Sequence, residues 1–396
     1  MTKRFVYADN AATTPVSDAV FEAMLPYIKE QYGNPSSIYS IGRESAAAIS
    51  HAREQVAALL NAKTDEIIFN GGGSEGDNTV LKGFAFANRA KGNHIISTKI
   101  EHHAMLHALE WLEKQGFEVT LLDVDKYGQI SLSELEAAIR PETILISVMA
   151  ANNEIGTIQP LTEIGAIAKA HKIAFHTDAV QAVGHIPLDV EAMNITMLSL
   201  SAHKFHGPKG VGALYVKRGT RIDTFMHGGG QERSRRGGTE NVAGIVGLGK
   251  AAEEARLHMD TDMARIATMR DRMVKAILEI PYTRLNGHPT NRLPGNANFS
   301  IEGIEGEAIV LTLDNMGIAA SSGSACSSGS LDPSHVLMSI GLTHEVAHGS
   351  LRLSLDSQNT EEDVDYIIEC VKTMAQNLRA VSPVWEGGKP LWANFQ

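Results

Sequence analysis

The chain has 396 residues, of which 43% are hydrophobic and 20% are charged, so it can bury at least one large core. Its formal net charge of −11 argues against wholesale binding to nucleic acid or to anionic membranes, because both require a basic surface. We expect a cytoplasmic protein, since no apolar stretch reaches the roughly 20 residues of a membrane span, the N-terminal stretch lacks a signal sequence, and two cysteines cannot form a disulfide framework.

Short apolar stretches alternate with helical patterns over the first part of the chain. Seven stretches are predicted to be strands, at residues 66–69, 94–98, 119–124, 143–149, 173–178, 197–201 and 211–216. Helical patterns lie in most of the gaps between them, including residues 107–115, 132–139 and 161–171. This alternation predicts an α/β fold with a mainly parallel sheet.

From about residue 250 the pattern changes. A long amphipathic helix is predicted over 250–280, with Ile266, Met269, Met273 and Ile277 on one face. Two strand-like stretches and a final helix over 361–379 follow it, which is typical of a smaller α+β domain. We expect a large domain over 13–258 and a small domain made of 1–12 and 259–396.

Polar residues follow five of the predicted strands. In open parallel sheets, ligands bind outside the carboxyl ends of the strands. The residues at these ends are Gly73–Ser74, Glu101–His102, Asn152–Asn153, Asp178–Gln181 and Ser201–Lys204. Their recurrence predicts one site built from all five strand ends.

The segment NGGGSEGDN at 70–78 joins a predicted strand to a predicted helix. Its glycines allow close backbone approach and the helix start attracts an anion, so the segment suits a phosphate; a capped tight turn is the alternative. The same residues match the Gly-x-Ser-x-Gly pattern of serine hydrolases, with Asp178 and His203 following in hydrolase order. Against that alternative, the HGGG segment at 227–230 follows Ser74, whereas the oxyanion loop of such hydrolases precedes the nucleophile.

Lys204 lies at the end of an apolar strand, between His203 and His206. Burial beside histidines would lower the pKa of its amine, which suits a lysine that forms a Schiff base. The alternative is a lysine whose stem is buried and whose amine forms a salt bridge.

Three further side chains suit an aromatic, cationic ring. Asp178 could pair with a protonated pyridine nitrogen, as pyridoxal enzymes require, or could cap a helix instead. Gln181 would point to the same side if a helical turn starts there. His102 could stack on a flat ring or could simply begin a helix. The histidines lack matching sulfur and carboxylate ligands, so we expect no metal.

Cys326 lies among ten small, mostly polar residues, 321–330, which suggests an exposed, reactive thiol. Arg352 lies in an alternating strand and could bind a carboxylate through two hydrogen bonds, or could be an exposed charge. Thr239 belongs to a glycine- and arginine-rich loop that could bind an anion, or could be a solvated surface loop.

Together these motifs resemble the cysteine desulfurases of the NifS/IscS group, which are fold-type-I pyridoxal-phosphate enzymes. The resemblance covers nearly the whole chain and rests on ADNAATTP (8–15), YGNPSS (32–37), EHHA, ANNEIGTIQP, HTDAVQAVG, SAHKFHGPKGVGALYV, HGGGQERSRRGGTEN, SSGSACSSGSLDPSHVL and SLRLSL. It implies a seven-stranded, mainly parallel sheet, pyridoxal 5'-phosphate as cofactor and a homodimer. It also implies that sulfur from L-cysteine passes through a persulfide to an acceptor such as an iron–sulfur scaffold protein.

The resemblance also implies roles for single residues. Lys204 would bind the cofactor covalently, His102 would stack on its ring, Asp178 would pair with the ring nitrogen and Gln181 would bond its phenolic oxygen. The phosphate would be bound by Gly73, Ser74, Ser201 and His203, with Thr239 reaching in from a second subunit.

The remaining implied roles concern the substrate. Asn153 and Arg352 would orient its carboxylate, with help from Asn34, and Cys326 would accept its sulfur. One departure is Ser74, where the family usually has threonine; the missing methyl group predicts weaker phosphate binding. A selenocysteine lyase, an aminotransferase of the same fold and a catalytically idle binding scaffold are the alternatives.

Overall fold

The computed structural model describes residues 4–322 and 333–394. Its strands are β1 (Val6–Tyr7), β2 (Ile67–Asn70), β3 (His94–Thr98), β4 (Glu118–Leu122), β5 (Thr143–Ser147), β6 (Ala174–Asp178), β7 (Met197–Ser201), β8 (Gly212–Val216), β9 (Thr283–Asn286), β10 (Asn296–Ile301), β11 (Ile318–Ala319), β12 (Ser350–Ser354), β13 (Trp385–Glu386) and β14 (Lys389–Pro390).

Helices cover both faces of the larger sheet and form much of the rest of the molecule. They are α1 (Asp18–Lys29), α2 (Ser40–Leu60), α3 (Gly73–Asn78), α4 (Ala85–Asn88), α5 (His103–Lys114), α6 (Leu132–Ala138), α7 (Leu161–Ala170), α8 (Gln231–Ser234), α9 (Val242–Ile277), α10 (Gly306–Asn315), α11 (His335–Ser339), α12 (His344–His348) and α13 (Glu361–Val381). A π-helical stretch, Thr79–Phe84, makes α3 and α4 continuous.

The central sheet has seven strands in the order β2-β8-β7-β6-β5-β3-β4. Six strands run parallel, and β8 runs antiparallel to both of its neighbours, β2 and β7. The seven predicted strands are therefore confirmed, as is the mainly parallel α/β sheet. Every residue of β2, β3, β5, β7 and β8 is buried, which explains why these strands read as continuous apolar stretches rather than as alternating ones.

Helix α9 begins earlier than the sequence pattern predicts, because the Asn241 side chain caps it by accepting a hydrogen bond from the Gly244 N–H group at 3.1 Å. Its predicted apolar face, Ile266 to Ile277, is fully buried. That face packs in a hydrophobic cluster with the antiparallel sheet β12-β10-β9 and with α10 and α13. No helix in the described ranges is long and apolar enough to cross a membrane.

Candidate active site

A cavity of about 380 Å³ opens at the carboxyl ends of the parallel strands. It brings together ten residues that the sequence predicts for one site, namely Gly73, Ser74, His102, Asn153, Asp178, Gln181, Ser201, His203, Lys204 and Arg352. They come from five strand ends of the central sheet and from β12. The fold thus assembles the predicted set from residues that are up to 279 positions apart, counting from Gly73 to Arg352.

Lys204 reaches this cavity from a single 3₁₀ turn, Ala202–Lys204, that follows β7. Its amine donates hydrogen bonds to the carbonyl oxygens of Ala11 and Ala12, at 2.7 and 2.8 Å. The side chain is only partly buried. These hydrogen bonds to uncharged carbonyl groups hold the amine at the wall of the cavity. A carbonyl compound in the cavity could reach the amine there.

Asp178 ends β6 and is 6% exposed. One carboxylate oxygen accepts a hydrogen bond from the Val180 N–H group at 2.9 Å, so the side chain also caps the turn that follows the strand. Burial raises the pKa of Asp178 to about 6, although the charge of Lys204 acts in the opposite direction. The carboxylate is therefore ionised at neutral pH and suits a cationic partner inside the cavity.

His102 is the N-cap of α5, and its Nδ1 accepts a hydrogen bond from the Ala104 N–H group at 3.2 Å. Burial and the nearby charge of Lys204 lower the pKa of His102 to about 4. The ring is thus neutral, with its proton on Nε2. A neutral flat ring on the cavity wall can stack on an aromatic ligand.

The glycine-rich turn and the start of α3 form one end of the cavity. Gly72 has a φ of 134°, which favours glycine, and α3 begins at the next residue. The first N–H groups of the helix lack intrahelical partners and favour an anion. Ser74 and Ser201 place hydroxyl groups on the same cavity, as a phosphate site requires.

His203 lies on the cavity beside Lys204, and its Nδ1 lies 3.1 Å from the Thr13 hydroxyl oxygen. Burial and the charges of Lys204 and Lys209 lower the pKa of His203 to about 4. The ring is therefore neutral and can donate or accept a hydrogen bond at its second nitrogen.

Arg352 approaches from β12 and is 3% exposed. One terminal nitrogen donates to the Asp9 carboxylate at 2.8 Å and the other to the Asn153 carbonyl at 2.9 Å. Its Nε has no hydrogen-bond partner in the described part of the chain. Because Arg352 lines the cavity, its guanidinium suits a carboxylate ligand.

Two predicted residues of the described part of the chain, Asn34 and Thr239, do not line this cavity. Asn34 and Thr239 are exposed, and the Asn34 side chain accepts a hydrogen bond from the Ser36 N–H group at 2.9 Å. Cys326 lies outside the described residues. Ser321, two positions before that gap, forms a backbone bridge with Arg352.

Two features of the site were missed. Asp77 lines the cavity at 1% exposure, and burial together with the Asp178 charge raises its pKa well above the ordinary value. The sequence did contain an indication of this residue. Asp77 follows Gly73 by four positions, which is about one turn of α3. The carbonyls of Ala11 and Ala12 bind Lys204 through the backbone, so no side-chain pattern could have indicated them.

The residues present fit pyridoxal phosphate. Four features of the cavity match the parts of this cofactor. The Lys204 amine can react with its aldehyde, and the Asp178 carboxylate can pair with its pyridinium. The neutral His102 ring can stack on it, and the start of α3 can bind its phosphate. The Arg352 guanidinium, which also lines the cavity, is a fifth feature, because it suits the carboxylate of an amino acid. Within residues 4–322 and 333–394, histidine, cysteine, aspartate and glutamate side chains form no group of three or more that could hold a metal.

Comparisons with known proteins agree with this geometry. Residues 6–367 match the family described as aminotransferase class-V. The chain is 59% identical over 379 residues to a cysteine desulfurase IscS of Methanosarcina thermophila, covering 96% of this chain and 94% of that protein. It is 56% identical over 384 residues to a protein of the same name from Clostridium botulinum strain Hall, covering 96% and 97%.

Solved structures are similar over comparable lengths. A NifS-like protein superposes with a TM-score of 0.89 at 37% identity, covering 96% of this chain and 100% of that one. A structure described as SspA in complex with cysteine superposes with a TM-score of 0.80 at 39% identity, covering 89% and 99%.

Proposed function

The chain belongs to the aminotransferase class-V family and is a pyridoxal-phosphate-dependent cysteine desulfurase, and from that premise we propose that Lys204 is the residue that binds the cofactor covalently. The observation that carries this assignment is the position of its amine, on the same cavity as Asp178 and His102. Hydrolase chemistry at Ser74 is inconsistent with this family membership.

Pyridoxal phosphate, when bound, supplies an electron sink that labilises bonds at the substrate α-carbon. Asp178 would hold the positive charge of the ring nitrogen, and Gln181 would bond the phenolic oxygen. His102 would stack on the ring in its neutral form. Lys204, once released by substrate, would move the α-carbon proton as a general base.

The phosphate and the substrate carboxylate would be bound by different residues of the site. Gly73, Ser74, Ser201 and His203 would bind the phosphate through backbone and side-chain donors, and Arg352 would bind the carboxylate. The Asp9 and Asn153 contacts of Arg352 fix its guanidinium on the cavity.

L-cysteine is the substrate that this arrangement and the family support, and the cysteine-bound SspA structure agrees with it. The Cys326 thiolate would take up the substrate sulfur as a persulfide while alanine leaves. We propose that the sulfur then passes to an acceptor protein such as an iron–sulfur scaffold, in the cytoplasm, because relatives of this chain carry the name IscS.

We further propose two domains, 13–258 and 1–12 with 259–396. One hydrophobic cluster supports this division, because Val6 and Ala8 pack there with residues from Ile266 onward. A second cluster joins Ile100 of the large part to residues such as Leu337, so the two parts share an apolar contact.

We also propose a homodimer in which the Thr239 of one subunit reaches the phosphate in the other. Thr239 is exposed and does not line the cavity of its own chain, so it is available to a second copy. Asn34, which is also exposed, would assist at the substrate carboxylate.

Two variants, Lys204→Ala and Cys326→Ser, test the catalytic assignment. The wild-type protein is incubated with L-cysteine, and alanine and the mass of the Cys326 peptide are measured. We expect added sulfur on Cys326 and borohydride-reducible cofactor on Lys204. Lys204→Ala should lose both, whereas Cys326→Ser should keep the reducible cofactor and lose the persulfide. Full-rate alanine production by Cys326→Ser would contradict the assignment of the sulfur acceptor.

A further inference from the structure

A second cavity of about 380 Å³ lies beside the residues that follow Lys204. It shares no lining residue with the active-site cavity. Phe205 and His206, which directly follow Lys204 in the sequence, form part of its wall. Any group that fixes His206 therefore acts on the turn that carries the cofactor lysine.

The backbone of His206 has a φ of 65°, in the left-handed region that non-glycine residues seldom adopt. Its N–H group donates a hydrogen bond of 2.7 Å to the Thr14 hydroxyl oxygen. Such a conformation persists only when the surrounding contacts hold it. The side chain of His206 supplies further contacts.

Both ring nitrogens of His206 face hydrogen-bond acceptors. Nδ1 lies 3.1 Å from the carbonyl oxygen of Pro15, and Nε2 lies 3.3 Å from a carboxylate oxygen of Asp356 and 3.4 Å from the Ser357 hydroxyl oxygen. A carbonyl oxygen can only accept, so Nδ1 carries a proton. The Ser357 hydroxyl can act as donor or acceptor towards Nε2, whereas the carboxylate of Asp356 can only accept and favours a second proton there. The contact with Asp356 therefore favours an imidazolium at position 206.

Asp356 follows β12 and is 1% exposed. The oxygen that faces His206 also accepts a hydrogen bond from the Ser357 N–H group at 2.7 Å. The other oxygen lies 3.6 Å from Nε2 of His185. A carboxylate buried to this degree requires a cationic partner. The two imidazoles hold the pKa of Asp356 well below its usual range, and Asp356 in turn raises the pKa of His206.

One short segment links this pair to the active site. Residues 11–15 accept two hydrogen bonds from the Lys204 amine at one end, through Ala11 and Ala12. At the other end they bind His206, through Thr14 and Pro15. Residues 11–15 therefore form hydrogen bonds with both Lys204 and His206. The position of Lys204 depends on both sets of hydrogen bonds.

We propose that the ion pair between half-buried His206 and buried Asp356 positions Lys204 for the cofactor, and that loss of the His206 proton loosens this turn. His206 is thus a positioning residue that touches neither substrate nor cofactor. The proposal rests on the proposed role of Lys204 as the cofactor-binding lysine.

Other charged or titratable groups line the same cavity. They are Asp18 of α1, His185, and Glu254, His258 and Asp262 of α9. The acidic groups favour the imidazolium, although the carboxylate of Glu254 also accepts a hydrogen bond from Ser17 at 2.8 Å. Because the pKa of His206 is raised in the folded protein, its stabilising contribution is complete at low pH and disappears as the pH rises through that pKa.

His206→Asn tests the proposal. Asparagine tolerates a left-handed backbone and can donate to the Pro15 carbonyl, but it cannot become charged. The dissociation constant of pyridoxal phosphate is measured by titrating apoprotein prepared from the holoenzyme, at about pH 6 and about pH 9 on either side of the ordinary histidine pKa. At the lower pH we expect the dissociation constant of the variant to be about ten times that of the wild type, as for a lost bond to a charged group. At the higher pH, where wild-type His206 is neutral, the ratio of the two dissociation constants should approach one. Asp356→Asn should reproduce this dependence.

His258→Asn is the matched control, because His258 lines the same cavity from α9; it should leave the ratio at one at both pH values. A second measurement needs no variant: the pH dependence of deuterium exchange at the His206 ring carbon in the wild type should give a pKa above about 6.5. The proposal would be overturned if the ratio of dissociation constants for His206→Asn and wild type were the same at both pH values. It would also be overturned by a pKa of His206 at or below the ordinary histidine value. If borohydride fails to attach cofactor to Lys204 in the wild type, the proposed function fails instead.

Discussion

Glu101, the residue before His102, is a fully buried acid at the edge of the active site. One carboxyl oxygen accepts hydrogen bonds from the Thr98 hydroxyl at 2.8 Å and from the Met149 N–H group at 2.9 Å. The other oxygen has no hydrogen-bond partner among the residues that the structure describes. Burial raises the pKa of Glu101 to about 8, so the side chain is protonated at neutral pH.

Replacing Glu101 by glutamine should change how stability depends on pH. In the wild type, the unfolded chain ionises near pH 4.5 while the folded chain holds the proton to about pH 8, so the free energy of unfolding falls as the pH rises across that interval. Glutamine cannot ionise and keeps the accepting oxygen. We expect Glu101→Gln to equal the wild type at low pH and to exceed it by a few kcal/mol above pH 8, in urea unfolding of the apoprotein.

Glu113→Gln, at an exposed position of α5, serves as the control and should follow the wild-type curve at every pH. Parallel pH dependences for wild type and Glu101→Gln would show that Glu101 is already ionised in the folded protein. Other buried acids, such as Glu154 with a pKa of about 7, affect all three proteins equally and cancel in the comparison.

At the scale of elements, the start of α3 depends on close packing against the turn after β6. A Cβ atom at Gly73 would lie 2.5 Å from Cγ2 of Val180, which is too close for a real contact. Gly73→Ala should therefore shift the first N–H groups of the helix away from the phosphate. We expect the affinity for pyridoxal phosphate to fall by an order of magnitude or so, since bonds to a charged group weaken.

The double variant Gly73→Ala/Val180→Ala separates crowding from other effects, because it removes the atom that the new methyl group would strike. It should recover most of the lost affinity in the same titration. Gly210→Ala is a control, because Gly210 has a φ of 76°, which alanine adopts unfavourably, and an added Cβ atom there would meet only open space. This variant should lower stability without changing the affinity of the folded protein for pyridoxal phosphate. No recovery in the double variant would contradict the packing explanation.

The same elements show why part of the site could be predicted from sequence and part could not. Strands β3 and β7 were predicted to the residue because both are short, fully buried and followed by polar groups. The parallel order then brings those polar groups to one edge. Asp77 was missed because its contact with the site depends on where α3 meets the sheet. The His206–Asp356 pair was missed because it joins residues 150 positions apart through a rare backbone conformation.

At the scale of the whole molecule, α1 and the loop after it expose an unusual amount of apolar surface. Six residues of this N-terminal patch are about half exposed or more, namely Phe21 (53%), Leu25 (48%), Ile28 (59%), Tyr32 (80%), Ile38 (89%) and Tyr39 (54%). The first three recur at helical spacing on one side of α1. Monomeric soluble proteins rarely leave large apolar patches uncovered. The N-terminal patch therefore supports the proposed homodimer.

The dimer can be tested with Ile38→Glu, which places a charge in the most exposed residue of the N-terminal patch. Burying that charge at an interface is unfavourable, so light scattering should show the wild type as a dimer and the variant as a monomer at the same concentration. The variant should also bind pyridoxal phosphate more weakly, because the Thr239 of a second subunit would no longer reach the phosphate. Leu311→Glu, on α10 at 63% exposure, should leave both properties unchanged. A dimeric Ile38→Glu protein would show that the N-terminal patch is not the interface. A monomeric wild type that binds the cofactor fully would show that each subunit completes its own site.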